Sequence, residues 1–253
     1  MQLQLSTWSE VETYLKRSTA VLMPIGSTEQ HGPNGVIGID ALVAERIARA
    51  VGERTETLVA PTISVGMAQH HMAFPGTMTV KPSTLIAIVR DYVVSLARHG
   101  FTSFYFINGH GGNAATVTAA FSEIYAESSM GNASNAAPNA TPIRCRLKNW
   151  WLTPAIGQMS RELFGGMEGH HATPSEVAVT QYLFPESIRN VPMSPTVGPT
   201  AEDYSDAHDF RRQFPDGRIG SNPALATPEH GKRLFDAAVT DITRDFERFR
   251  VSR

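Results

Sequence analysis

Ser103-Phe-Tyr-Phe-Ile-Asn-Gly-His-Gly-Gly-Asn113 is the stretch whose reading decides the fold. Ser103 to Ile107 forms a near-continuous apolar run, as expected of an inner strand of a parallel sheet; a strand with one wet face would alternate. The turn Asn108 to Asn113 follows at once, and Ala114 to about Glu127 reads as a helix. Strand, glycine-rich loop and helix in that order make half of a parallel crossover unit.

The same order recurs on either side. Ser9 and Glu12 have capping-box spacing and open a short helix to about Arg17, followed by a buried strand over Ala20 to Ile25 and a loop over Gly26 to Asp40. Asp40 takes the N-cap place of a helix over Ala41 to Val51, with Gly52 ending it. Leu58 to Ala60 is a second strand, and a long loop runs from Pro61 to Gly76. Ser83 caps a helix that continues to His99, its Leu85, Ile88, Val89, Tyr92, Val93 and Leu96 at helical spacing, with Gly100 as the stop. Further on, Ile143 to Leu147 reads as a strand, Pro154 to Phe164 and Pro174 to Leu183 as helices, and Pro185 to Pro223 as irregular. A final amphipathic helix runs from about Pro228 to Phe249. This alternation predicts one α/β domain over residues 1–253, with a mostly parallel sheet covered on both faces. The uncharged, Ser/Asn/Ala/Pro-rich stretch at about 128–142 predicts a flexible surface insertion.

Composition narrows the function. With 42% of its 253 residues apolar and 18% charged, the chain can build a core. Its 22 Lys and Arg against 24 Asp and Glu leave no basic footprint, so neither nucleic acid nor an anionic membrane is expected as a partner. Cys145 stands alone and cannot form an intramolecular disulfide. Met1 to Lys16 carries Glu10 and Glu12 and lacks the pattern of a signal peptide, so a cytoplasmic location is expected. The long uncharged stretches Thr57 to Val80 and His99 to Ser122 contain His, Asn and Pro, which does not suit a lipid interior.

The chemistry is expected in the histidine-bearing loops. Of nine histidines, His31, His70, His71, His110, His170 and His171 fall in loops rich in Gly or Pro. Glu29, His31 and Asp40 combine hard carboxylates with an imidazole, a set that suits Zn or Mn; a solvated turn and a plain helix cap are the alternatives. His110, flanked by glycines that permit close backbone approach, is a ligand candidate at the end of the strongest strand. His171 and Glu176 bracket the start of the Pro174 helix, where Glu176 could equally serve the helix dipole. Ligands in such sheets bind beyond the carboxyl ends of the strands, which predicts that these loops meet there.

Taken together, Gly26-Ser-Thr-Glu-Gln-His-Gly-Pro with Asp40, His71-Met-Ala-Phe-Pro-Gly-Thr77, Asn108-Gly-His-Gly-Gly-Asn113 and His171-Ala-Thr-Pro-Ser-Glu176 resemble, in order, the landmarks of the creatininase (creatinine amidohydrolase) family. The resemblance implies a three-layer α/β/α sandwich, one or two divalent ions per subunit (Zn, Mn or Fe), and hydrolysis of a non-peptide or cyclic amide C–N bond. It also implies a homo-oligomer, often a hexamer. Carried over by position, Glu29, Asp40 and His110 would hold one metal, and His31 with a bridging Asp40 the other. His171 would transfer the proton, while His71, Gly76, Thr77, Gly111 and Asn113 would line the substrate pocket.

Two positions depart from the creatinine-hydrolysing members. Gly112 stands where those members carry a ligand Glu, and Thr173 where the family usually has Gly. Glu176 is the expected substitute, as ligand and as catalytic carboxylate. Creatinine is therefore expected to be a poor substrate, with another small-molecule amide in its place. Peptide trimming, formamide deformylation and non-catalytic metal binding are the competing expectations.

Overall fold

The computed structural model describes residues 1–130, 142–201 and 203–251. Four strands, β1 (Ala20–Ile25), β2 (Leu58–Val59), β3 (Ser103–Asn108) and β4 (Arg144–Asn149), form a sheet of order β2-β1-β3-β4, every pairing parallel. Every residue of β1 and β3 is buried, as their apolar runs require. Ile25 pairs with Asn108 and Asn108 with Asn149, so three strands finish level and their loops leave from one edge.

Alternation along the strands divides the core in two. Leu22, Tyr105 and Ile107 face α2 (Ile39–Thr55), α5 (Pro154–Phe164), α6 (Pro174–Leu183) and α8 (Pro228–Val251). Val21, Met23, Phe104 and Phe106 face α1 (Trp8–Leu15), α3 (Pro82–Arg98) and α4 (Asn113–Met130). This is the three-layer α/β/α sandwich, with each layer of helices closing one face of the sheet. No helix among the described residues is long and apolar enough to cross a membrane.

Several boundaries differ from the sequence reading. The capping box of α1 is Thr7 with Glu10, two residues before the expected pair, because Thr-Trp-Ser-Glu offers the same spacing. Asp40 is not an N-cap; Gly38 occupies that place and Asp40 lies in the first turn of α2. Gly52 sits inside α2, where a Cβ would come 2.6 Å from Val59 Cγ2, and the helix ends at Glu56 with φ +51°. Lys81 precedes α3, whose first turn holds Pro82 with φ already set for a helix, so Ser83 caps nothing. The Pro185 to Pro223 stretch contains α7 (Ala207–Gln213), too short for a readable period and capped by Asp206. α4 extends to Met130, into the expected insertion, and residues 131–141 lie outside those described.

β4 is an edge strand of this sheet. Cys145 on it donates its N–H to Tyr125 Oη at 2.8 Å, and that hydroxyl donates to the Cys145 carbonyl at 3.3 Å. A side chain from α4 thus occupies backbone groups that the sheet leaves open.

Two glycines place α2 against the strand ends. A Cβ on Gly26 would come 2.3 Å from the Ala41 nitrogen, and one on Gly109 2.0 Å from the Asp40 carbonyl oxygen. Gly109→Ala should therefore push the start of α2 from the sheet. It is expected to cost about 1–3 kcal/mol of unfolding free energy, read by denaturant titration.

Candidate metal centre

Four loops and two helix starts deliver the expected residues to one place. Glu29 and His31 follow β1, His71 lies in the long segment after β2, His110 follows β3, Asp40 opens α2, and His171 and Glu176 flank the start of α6. Glu29 is fully buried, and its Oε2 accepts from Ser27 Oγ at 2.7 Å. Its Oε1 stands 3.2 Å from His71 Nε2, 3.2 Å from His110 Nδ1 and 3.8 Å from His171 Nδ1. Asp40 spans two imidazoles, with Oδ1 3.1 Å from His31 Nε2 and Oδ2 3.2 Å from His110 Nδ1.

Backbone carbonyls orient these rings. His31 Nδ1 lies 3.1 Å from the Glu29 carbonyl, and His110 Nε2 2.8 Å from that of Met67. Donation there leaves His31 Nε2 and His110 Nδ1 turned to the carboxylates, the arrangement that fixes metal-binding imidazoles. His71 differs. Its Nδ1 is 2.9 Å from the Gln30 side-chain amide, which donates to it, so its Nε2–H faces Glu29 as a donor. His171 Nε2 is 2.8 Å from the Gln30 carbonyl, leaving Nδ1 toward Glu29 as an acceptor.

Three groups of donor atoms lie within 4.8 Å of one another: Glu29, Asp40 and His110; His31, Asp40 and Glu176; and Glu29, His31 and His171. Asp40 belongs to two of them. Glu29 Oε1 and Asp40 Oδ2 are sealed from solvent without a hydrogen bond of proper geometry, a cost that a cation would relieve. Glu176 serves the helix and the cluster together. One oxygen accepts from the Thr173 N–H in a capping box, while the other stands 3.8 Å from His31 Nε2.

The electrostatics match this crowding. Burial pushes the Glu29 carboxyl up to about 7, and burial likewise raises Glu176. Burial opposes the charge of His31, but Asp40, Glu176 and Glu29 outweigh it and bring the imidazole to about 10. His110 also resists burial and is lifted to about 9 by Glu29 and Asp40. Burial, reinforced by His71 and His31, holds His171 well below the ordinary imidazole range.

A cleft of about 780 Å³ opens onto this cluster. Asp40, His110, His171 and Glu176 reach it, with His70, His71, Tyr204, Trp150, Trp151 and Glu168 around them. Of the expected pocket residues, His71 and Gly111 line it; Gly76, Thr77 and Asn113 do not. Gly76 is exposed in a turn with φ +93°, and Thr77 Oγ1 accepts the Gln30 N–H at 3.3 Å. Asn113 ties two loops together, donating to the Gly26 carbonyl at 2.9 Å and accepting from the Met67 N–H at 3.0 Å.

The creatinine amidohydrolase (creatininase) family profile matches residues 4–246. The chain belongs to the creatininase family. The Mycofactocin precursor peptide peptidase of Mycobacterium tuberculosis is 27% identical over 249 residues, covering 92% of this chain and 86% of that one. The creatinine amidohydrolase of Pseudomonas putida is 34% identical over 110 residues, 41% of this chain and 42% of the relative. A solved manganese-type creatininase superposes with a TM-score of 0.81 at 23% identity, over 98% of both chains, which establishes a shared fold. These relatives are hydrolases.

The departures at Gly112 and Thr173 have local reasons. A Cβ at 112 would come 2.5 Å from His110 Nε2 and 2.6 Å from the Met67 carbonyl, so the His110 bond occupies the space of a side chain. Thr173 is the cap whose hydroxyl accepts from the Glu176 N–H. Sequence reasoning overlooked Gln30, although it sits between Glu29 and His31; its amide touches His71, His171 and the Gly217 carbonyl.

A divalent ion entering this cluster has to displace the protons that His31 and His110 hold below about 10 and 9. Affinity for Zn or Mn should therefore rise with pH from 6 to about 9. At pH 7 binding should release protons, which calorimetry in buffers of different ionisation heat will count.

Proposed function

We propose that this chain is a metal-dependent hydrolase of amide C–N bonds. The observation that carries the reading is the Asp40 carboxylate, shared between one donor set with Glu29 and His110 and another with His31 and Glu176. The first set would hold one ion and the second its neighbour, with Glu176 supplying the carboxylate that Gly112 lacks. The mixed O/N donors suit Zn, Mn or Fe, and solved relatives of this fold are described as Mn and Zn–Zn types.

A divalent ion held this way supplies a Lewis acid that polarises a carbonyl and lowers the pKa of water. The chain's own groups would do the rest. His171 is neutral near pH 7, and the Gln30 carbonyl fixes its tautomer, so its Nδ1 lone pair would accept a proton from the attacking water and return it to the leaving nitrogen. Glu29 and Asp40 hold His110 from two sides, and Ser27 pins the far oxygen of Glu29. Donors fixed in advance need no reorganisation as charge develops.

A peptide amide is favoured over a small cyclic one by one observation: the peptidase relative matches along 92% of this chain, the creatinine amidohydrolase relative along 41%. Metal-loaded protein should cleave acylated peptides and turn over creatinine poorly; creatinine turnover of 1 per second or more, about the lower end of ordinary enzymatic rates, would return the reading to the small ring.

Glu176→Gln should weaken the His31-side ion more than the Glu29-side ion, whereas Asp40→Asn should reduce occupancy of both. Metal content after dialysis reads the difference. Equal occupancy in Glu176→Gln would assign Glu176 to the helix cap alone.

A further inference from the structure

α5 contributes Gly157, Ser160 and Arg161 to the wall of the cleft. These are positions i, i+3 and i+4, one face of the helix. Gly157 presents no side chain, and the Arg161 guanidinium lies alongside, with Nη1 3.7 Å from where a Cβ at 157 would stand. Ser160 is only 8% exposed. Among the described residues its hydroxyl bonds no protein group, and the Arg161 side chain, exposed at the rim of the cleft, forms neither an ion pair nor a hydrogen bond. The hydroxyl is therefore open to the cleft and free to bond a group that enters it.

Charge points to the ligand. Among the described residues lining the cleft, Arg161 is the one permanent cation, and Asp40, Glu168 and Glu176 are the acids. The acids cluster around the metal centre and the start of α6, leaving the α5 wall as the positive end. We propose that Ser160 and Arg161 form a carboxylate subsite, which selects amide substrates bearing a free carboxylate beyond the bond that is cut. A planar guanidinium matches a carboxylate with two parallel N–H donors, and the serine hydroxyl adds a third. A phosphate monoester, with about −1.5 to −2 charge, asks for more than one cation. A single arginine suits the monoanion.

The proposal rests on the hydrolase reading for the position of the scissile bond, and the two can be separated by experiment. The probes are N-acetylated peptides of two to four residues, each made with a free C-terminal carboxylate and as the C-terminal amide. An N-acetylated peptide amide carrying phosphoserine completes the set. Binding to the metal-loaded protein is followed by calorimetry, and cleavage by chromatography of the same mixtures.

The acid form should bind about tenfold or more tightly than its amide, and Arg161→Gln should erase that preference. Ser160→Ala should reduce it by a smaller factor, with the cleavage difference expressed in KM rather than kcat. Equal binding of acid and amide, no binding of either, tighter binding of the phosphorylated peptide, or an acid preference that survives Arg161→Gln would each overturn the subsite. Cleavage without acid preference removes the subsite and leaves the hydrolase reading standing. Acid-selective binding without cleavage of any probe does the reverse.

Discussion

Asp40 is the hinge of the site's electrostatics. Its two oxygens face two imidazoles at 3.1 and 3.2 Å in a setting closed to water. Burial opposes its charge, yet His31 and His110 hold the carboxyl below its ordinary range. This is possible because the backbone of α2 touches the ends of two strands, where Gly26 and Gly109 leave no Cβ in the way. With side chains at those positions, Asp40 would be displaced from both imidazoles together. The sheet register matters for the same reason, since β1, β3 and β4 ending level is what gives Glu29, His31 and His110 a common origin.

Around this carboxylate the protein fixes its acceptors in a consistent way. Each of His31, His110 and His171 places one nitrogen within hydrogen-bond reach of a backbone carbonyl and turns the other toward Glu29 or Asp40. The backbone therefore selects the tautomers. Gln30 extends the order outward, from His71 and His171 to the Gly217 carbonyl. Beyond it lies Arg218, fully buried and bonded to Asp216 and to the carbonyls of Pro195, Thr196 and Ser221. The irregular segment over the site is thus pinned by a charged group that has exchanged water for several protein acceptors.

Much of this was legible in the sequence. Continuous apolar runs at Ala20 to Ile25 and Ser103 to Ile107 mark inner parallel strands, and the helices expected over Pro154 to Phe164 and Pro174 to Leu183 coincide with α5 and α6. The loops carrying Glu29, His31, His110, His171 and Glu176 do meet at the carboxyl edge. Asp40 carries two readings in the sequence, cap and ligand, because an Asp before an apolar helix has the same local signature whether it bonds the backbone or turns to a neighbouring loop; the cap reading fails because Gly38 takes that place and the glycines at 26 and 109 bring Asp40 to the strand ends. Thr77 and Asn113 sit inside recognisable motifs but tie loops together rather than line the cleft, and Gly76 of the same motif is exposed in a turn. A motif marks which residues act together without saying which of them faces the ligand. The roles of Gln30 and Arg218 are not legible because their contacts join segments far apart in the chain, and α7 is too short to show a period.

The Tyr125 hydroxyl on Cys145 bears on how copies of this protein can meet. An uncovered parallel edge strand is an invitation to strand addition, which joins subunits through backbone ladders and can continue without limit. Here a newcomer strand must first evict the tyrosine from both the N–H and the carbonyl of Cys145. Among the described residues the phenol guards this edge at the second residue of β4, which sets a barrier to open-ended sheet growth from that end.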